Sequence, residues 1–140
     1  MMMKILLCCG GGFSSSALAV RMQKEIVERG WEDKYSIEFL PITLGMKVVD
    51  DYDVVLLCPH LKVELNRAFK EGITFNKPIY LLPPKMYGLM KLEEIVCDCE
   101  DVIKMYQENP TVPVTFPGED NLLRVTRGVA YRHYKNKQLK

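Results

Sequence analysis

Four short apolar runs, each followed by a stretch of helical character, leave this 140-residue chain few folds to adopt. The runs are Met3 to Cys8, Tyr35 to Pro41, Tyr52 to Cys58 and Pro78 to Leu82. Runs of this length and apolarity are the pattern of strands buried on both faces. Between them, Ser14 to Gly30 carries Leu18, Met22, Ile26 and Val27 at helical spacing, with Gly30 placed to end the helix. A short helix is expected over Gly45 to Val49, another over Leu61 to Glu71 before Gly72, and a long one over Tyr87 to Gln107. In the last, Met90, Ile95, Val102 and Tyr106 form the buried stripe. Strands alternating with helices specify an α/β fold with a parallel sheet and right-handed crossovers. The expected order is 2-1-3-4, with helices on both faces.

The chain divides at Asn109-Pro110. Residues 1–110 hold the alternating pattern. Residues 111–140 begin with Pro113 and Pro117-Gly118, which act as breakers, and continue as a helical stretch interrupted at Gly128. The tail has six Lys/Arg against two Asp/Glu, net +4, and the body thirteen against sixteen, net −3. Two roles fit such a tail. Its arginines Arg124, Arg127 and Arg132 would dock a partner and the tail would be dispensable for folding, or Leu122, Leu123, Val125 and Val129 would pack on the body. The charge asymmetry favours docking.

The whole chain has net charge +1, which gives no global basic signal for nucleic acid. No apolar run approaches the roughly 20 residues needed to span a bilayer, so no direct membrane insertion is expected. Met1 to Lys4 leads into too few apolar residues for a signal-peptide core, and a cytoplasmic location is expected. Five cysteines, at 8, 9, 58, 97 and 99, suit a reducing compartment. They include no C-x-x-C, and Cys97 and Cys99 do not share a helix face, so no metal site is expected. Cys58, ending a strand, is a small core residue.

The most chemically pointed segment is Lys4-Ile5-Leu6-Leu7-Cys8-Cys9-Gly10-Gly11-Gly12-Phe13-Ser14-Ser15-Ser16. A strand runs into three glycines that expose bare N–H groups, then into a helix start with Ser14, Ser15 and Ser16 as caps. Unpaired amides in a turn and at a helix N-terminus cradle an anion. The same field favours a thiolate at the cradle's mouth. The loop is neither a Walker A motif nor a dinucleotide fingerprint, since no Gly-Lys-Ser/Thr follows and the glycines are contiguous. In a parallel sheet, sites lie beyond the carboxyl ends of the strands. Order 2-1-3-4 would bring His60, after the third strand, near Cys9, and the Pro83 to Gly88 segment follows the fourth.

These residues resemble the B component of enzyme II of the bacterial sugar phosphotransferase system, in the lactose/cellobiose (chitobiose) group, over residues 3 to 107. The cysteine loop carries the resemblance, with Asp53-Val54-Val55-Leu56-Leu57-Cys58-Pro59, Asn76-Lys77-Pro78-Ile79 and Tyr87-Gly88. It implies a four-stranded parallel sheet, like that of low-molecular-weight tyrosine phosphatases, and a phosphocysteine intermediate. The family cysteine falls on Cys9, and the phosphate-binding loop on Gly10, Gly11, Gly12, Phe13, Ser14, Ser15 and Ser16. His60 and Tyr87 would be accessory groups. No cofactor is implied. The A component would donate from a phosphohistidine, and the membrane C component would hold the accepting sugar, a β-linked disaccharide. The carrier would visit the inner face of the membrane transiently. This sequence departs from the family pattern in its all-glycine turn, in His60 where glutamine is common, and in the tail.

Two other functions fit less well. A phosphatase of the C-x-x-x-x-x-R-[ST] type needs an arginine that would fall at Ser15 counted from Cys9, or at Ser14 from Cys8. The guanidinium fork that clamps a phosphoryl group is therefore missing. No Asp-Pro acid follows either, since Asp98, Asp101 and Asp120 precede Cys99, Val102 and Asn121. A regulatory or adaptor domain that kept the fold is the remaining alternative.

Overall fold

The computed structural model describes residues 2–9 and 13–138, and the side chains of 13–16, 123 and 136–138 are not described. Four strands form one parallel sheet: β1 (Met3–Cys9), β2 (Tyr35–Pro41), β3 (Val54–Leu57) and β4 (Ile79–Leu81), in the order β2-β1-β3-β4. Among the described residues, six helices surround it: α1 (Phe13–Glu28), α2 (Ile42–Gly45), α3 (Lys62–Lys70), α4 (Pro84–Leu89), α5 (Leu92–Glu108) and α6 (Tyr131–Gln138). The expected order is the observed one.

The register sorts the strand side chains to two cores. Ile5, Leu7, Ile37, Val54, Leu56 and Tyr80 face α1 and α5, where Met22, Ile26, Ile95, Val96, Cys99 and Val102 meet them. Leu6, Cys8, Val55, Leu57, Ile79 and Leu81 face the other side, covered by Ile42, Val49, Tyr52, Leu61 and Leu65. Alternation along each strand divides the apolar residues between these faces, so both sides of the sheet are dry.

The long helix expected over Tyr87 to Gln107 is two helices. α4 ends at Leu89 and is capped by Met90, which is left-handed at φ 42°. Arg21 of α1 donates from Nη2 to the carbonyls of Leu89 at 3.2 Å and Met90 at 2.8 Å. A cation on otherwise unpaired terminal carbonyls stabilises a helix end. The break depends on a side chain 69 residues away from Met90, which local helical spacing does not reveal.

The tail is folded around the β4 edge. Val114 N donates to Ile79 O at 2.9 Å, capping the free edge of the strand. Val114 and Phe116 are buried in the core shared with α1 and α5, while Val112 and Leu122 pack against the opposite one. Phe116 stacks on Tyr131, with centroids 4.5 Å apart, and meets Tyr80 edge-on at 5.5 Å. Arg127, expected to face a partner, is buried instead. It donates to both Glu119 oxygens at 2.7 and 2.9 Å, to Asp98 Oδ2 at 2.8 Å, to Tyr80 Oη at 2.6 Å and to Val129 O at 2.8 Å. Arg132 is bound to Asp101 by two contacts, 2.9 and 3.0 Å. Of the three arginines expected to dock a partner, Arg124 alone has no ion pair among the described residues. Leu123, also named as a packing residue, has its side chain outside the described set.

Candidate functional site

Cys9 is the last residue of β1, a central strand, and lies opposite Pro41 of β2. It is buried beside Cys8, Ile42, Leu57, Cys58, Leu61 and Leu81. Four residues later the chain is already helical at Phe13. The strand therefore delivers Cys9 to the start of α1, whose first turn contains no acid and whose N–H groups lack intrahelical partners. The expected cradle falls partly outside the described residues: Gly10, Gly11 and Gly12 are not described. Phe13, Ser14, Ser15 and Ser16 form the first turn of α1.

Cys8 has a different environment. Its side chain lies under α2, where Gly45 leaves room for it, because a Cβ at 45 would collide with Cys8 Sγ. Burial, reinforced by the neighbouring Cys58 and Cys9 thiols, pushes the Cys8 thiol up to about 12. Such a thiol stays protonated at neutral pH and is a poor nucleophile. Cys58 donates its S–H to Cys8 O at 3.1 Å, and its N–H donates to the same oxygen at 3.2 Å. Both bonds pin the end of β3 to the end of β1.

His60 follows at once, in the 3-10 turn Pro59–Leu61, and is exposed. The strand order places this turn beside the end of β1. Tyr87 lies on α4, half-buried, and touches both cores where they meet at the carboxyl side of β4. The structure thus brings the ends of β1, β3 and β4, and with them Cys9, His60 and Tyr87, to one end of the sheet. Sequence reasoning missed Gly45 as the residue that makes space for Cys8. The one signal was a lone glycine closing Ile42-Thr43-Leu44-Gly45.

The model of the lactose/cellobiose-specific IIB subunit of the phosphotransferase system matches residues 4–97, more than half of the chain. The chain belongs to this IIB family. A cellobiose-specific phosphotransferase IIB component from Borrelia burgdorferi superposes with a TM-score of 0.59 at 30% identity, covering 75% of this chain and 94% of that one. A lactose-specific IIB component domain from Streptococcus pneumoniae aligns at 15% identity and a TM-score of 0.46, over 79% of this chain and 100% of that one, a likeness too weak to argue from. No curated protein sequence matches the chain. Membership places this IIB chain in phosphoryl transfer within the sugar phosphotransferase system. No helix among its described residues is long and apolar enough to cross a membrane. The family match ends one residue before Asp98, so Arg127 and its partners Asp98, Glu119 and Val129 lie outside the matched stretch, while Tyr80 lies within it.

Proposed function

We propose that this chain is a cytoplasmic phosphocarrier whose nucleophile is Cys9. The thiolate attacks the phosphorus of a phosphohistidine on the A component. The N–P bond breaks, its electron pair stays on the imidazole nitrogen, and an S–P bond forms. The phosphoryl group then passes to a hydroxyl of a β-linked disaccharide held by the membrane C component, which restores the thiol. Gly10 to Ser16 seat the phosphoryl oxygens through backbone amides and serine hydroxyls, and positioning of this kind supplies most of the catalysis in phosphoryl transfer. His60 and Tyr87 border the same site. The carrier chemistry belongs to residues 1–110, and residues 111–140 are an extension that stabilises them.

One observation carries the choice of nucleophile. Cys9 ends a central strand ahead of an acid-free helix start, while Cys8 is confined beneath Gly45 with its thiol pushed to about 12. The test is reconstitution with phosphoenolpyruvate, the general relay proteins and an A component. The expected result is one added phosphoryl group per chain, lost again when C component and sugar are supplied. A chain that binds the A component yet never takes up phosphate would be the regulatory relative instead.

A further inference from the structure

The sequence after Cys9 does little to fix its backbone. Three glycines follow it, and glycine places little steric restriction on the chain. Across the sheet its register partner is Pro41, which has no N–H to donate. Phosphoryl transfer depends on in-line positioning, and a misplacement of about an ångström loses much of the rate. The precision must come from the strand that delivers Cys9 and from whatever grips the end of that strand.

The grip is on Cys8 O. This oxygen belongs to the planar peptide unit whose N–H is that of Cys9, so holding it fixes the plane from which Cys9 projects. The ladder between β1 and β3 runs to the pair Cys8 and Leu57. Cys58 N extends it by one bond, donating to Cys8 O at 3.2 Å. Cys58 Sγ donates to the same oxygen at 3.1 Å. A carbonyl can accept two donors, and here one residue supplies both. Cys58 is itself firmly placed. It is fully buried, in one cluster with Cys8 and Cys9. It precedes Pro59, which favours the extended backbone observed there, φ −60° and ψ 150°. Its carbonyl accepts from Leu61 N at 3.0 Å, and Leu57 O, just before it, accepts from Leu82 N at 2.9 Å. A line of hydrogen bonds thus crosses the carboxyl end of the sheet, from the end of β4 through the end of β3 to the peptide of Cys9.

We propose that Cys58 is a positioning residue for the Cys9 nucleophile, its thiol locking the Cys8–Cys9 peptide so that Cys9 meets the donor's phosphorus in line. The inference rests on the reading of Cys9 as the phosphoryl acceptor. A packing role alone would be met by alanine or valine, neither of which donates to Cys8 O. Fully buried, Cys58 does not meet the donor's surface. Its loss therefore slows the transfer step without weakening the encounter.

The test is single-turnover transfer from a phosphorylated lactose/cellobiose-type A component to the full chain, over a range of donor concentrations. Cys58→Ala is expected to lower the plateau rate roughly three- to tenfold, the worth of one hydrogen bond. The half-saturating donor concentration should not move. Cys58→Val, which fills the space but donates nothing, is expected to behave likewise. Cys58→Ser keeps a donor and is expected to recover most of the rate, although a buried hydroxyl suits an apolar core less well than a thiol. Cys97→Ala, on α5, is expected to transfer like the parent. A parent chain phosphorylated on Cys9 whose rate ignores all three Cys58 changes overturns the positioning inference alone. So does a Cys58→Ser chain as slow as Cys58→Ala, or an effect confined to half-saturation. A parent chain that takes up no phosphate on Cys9 overturns the carrier reading, and the positioning inference with it.

Discussion

Arg127 Nη1 donates to Asp98 Oδ2 at 2.8 Å, with both side chains 1% exposed. Asp98 Oδ1 meanwhile accepts from Tyr131 N at 2.8 Å, so one carboxylate holds the buried arginine and the start of α6 together. Burial pushes the Asp98 carboxyl up, while Arg127 and the Tyr131 N–H pull it back. The arginine is further enclosed by Phe116 and Tyr131, whose ring centroids lie 5.2 and 5.6 Å from its Cζ.

Removing one member of such a pair strands a buried charge. Arg127→Ala is expected to cost about 3–5 kcal/mol, measured as the fall in unfolding free energy. Truncation after Asn109 is expected to cost more, because it also exposes the surfaces that Val114, Phe116, Val125 and Ala130 bury. A truncated chain that melts with the full-length protein would show that the extension is a passenger.

Gly45 and Cys8 predict a coupled pair. Gly45→Ala places a methyl group onto Cys8 Sγ, and forced overpacking of a core costs about 1–3 kcal/mol. Cys8→Ala removes the obstructing sulfur. The double variant should therefore recover much of what Gly45→Ala loses, and a double-mutant cycle in urea reads that coupling directly. Simple additivity would mean that the two residues do not compete for the same space.

Acid pH should loosen the extension through Glu94. Burial works against its carboxylate, but hydrogen bonds from His133 Nδ1 at 2.9 Å and Ala130 N at 3.0 Å outweigh it and hold its pKa below the ordinary 4.5. A depressed carboxyl pKa stabilises the fold above the unfolded value, and that contribution disappears as pH falls through the folded value. Glu94→Gln should therefore lower stability near neutrality and flatten its decline into acid. An unchanged acid limb in urea titrations would remove Glu94 from the account.

Much of the fold was legible because the strands announce themselves. Ile5 to Cys8 and Val54 to Cys58 are apolar on both faces, and a parallel sheet is the arrangement that buries both. The end of β1 at Cys9 was legible for a related reason, since three glycines mark where a strand must turn. The break at Met90 was not, because it depends on Arg21 reaching across from another helix. The extension misled for a different reason. Net charge counts Arg127 and Arg132 as solvent-facing cations, but charge counts do not know about Asp98, Glu119 and Asp101 waiting on the body and in the tail itself. The apolar residues alternating with those arginines, Val125 and Val129, were the better guide.

The most direct measurement is the position of the phosphoryl group after transfer from a phosphorylated A component. Mass spectrometric mapping should place it on Cys9, with Cys9→Ser taking up none and Cys8→Ser taking up phosphate much as the parent does. A phosphoryl group on Cys8, or one that persists in Cys9→Ser, would contradict the account.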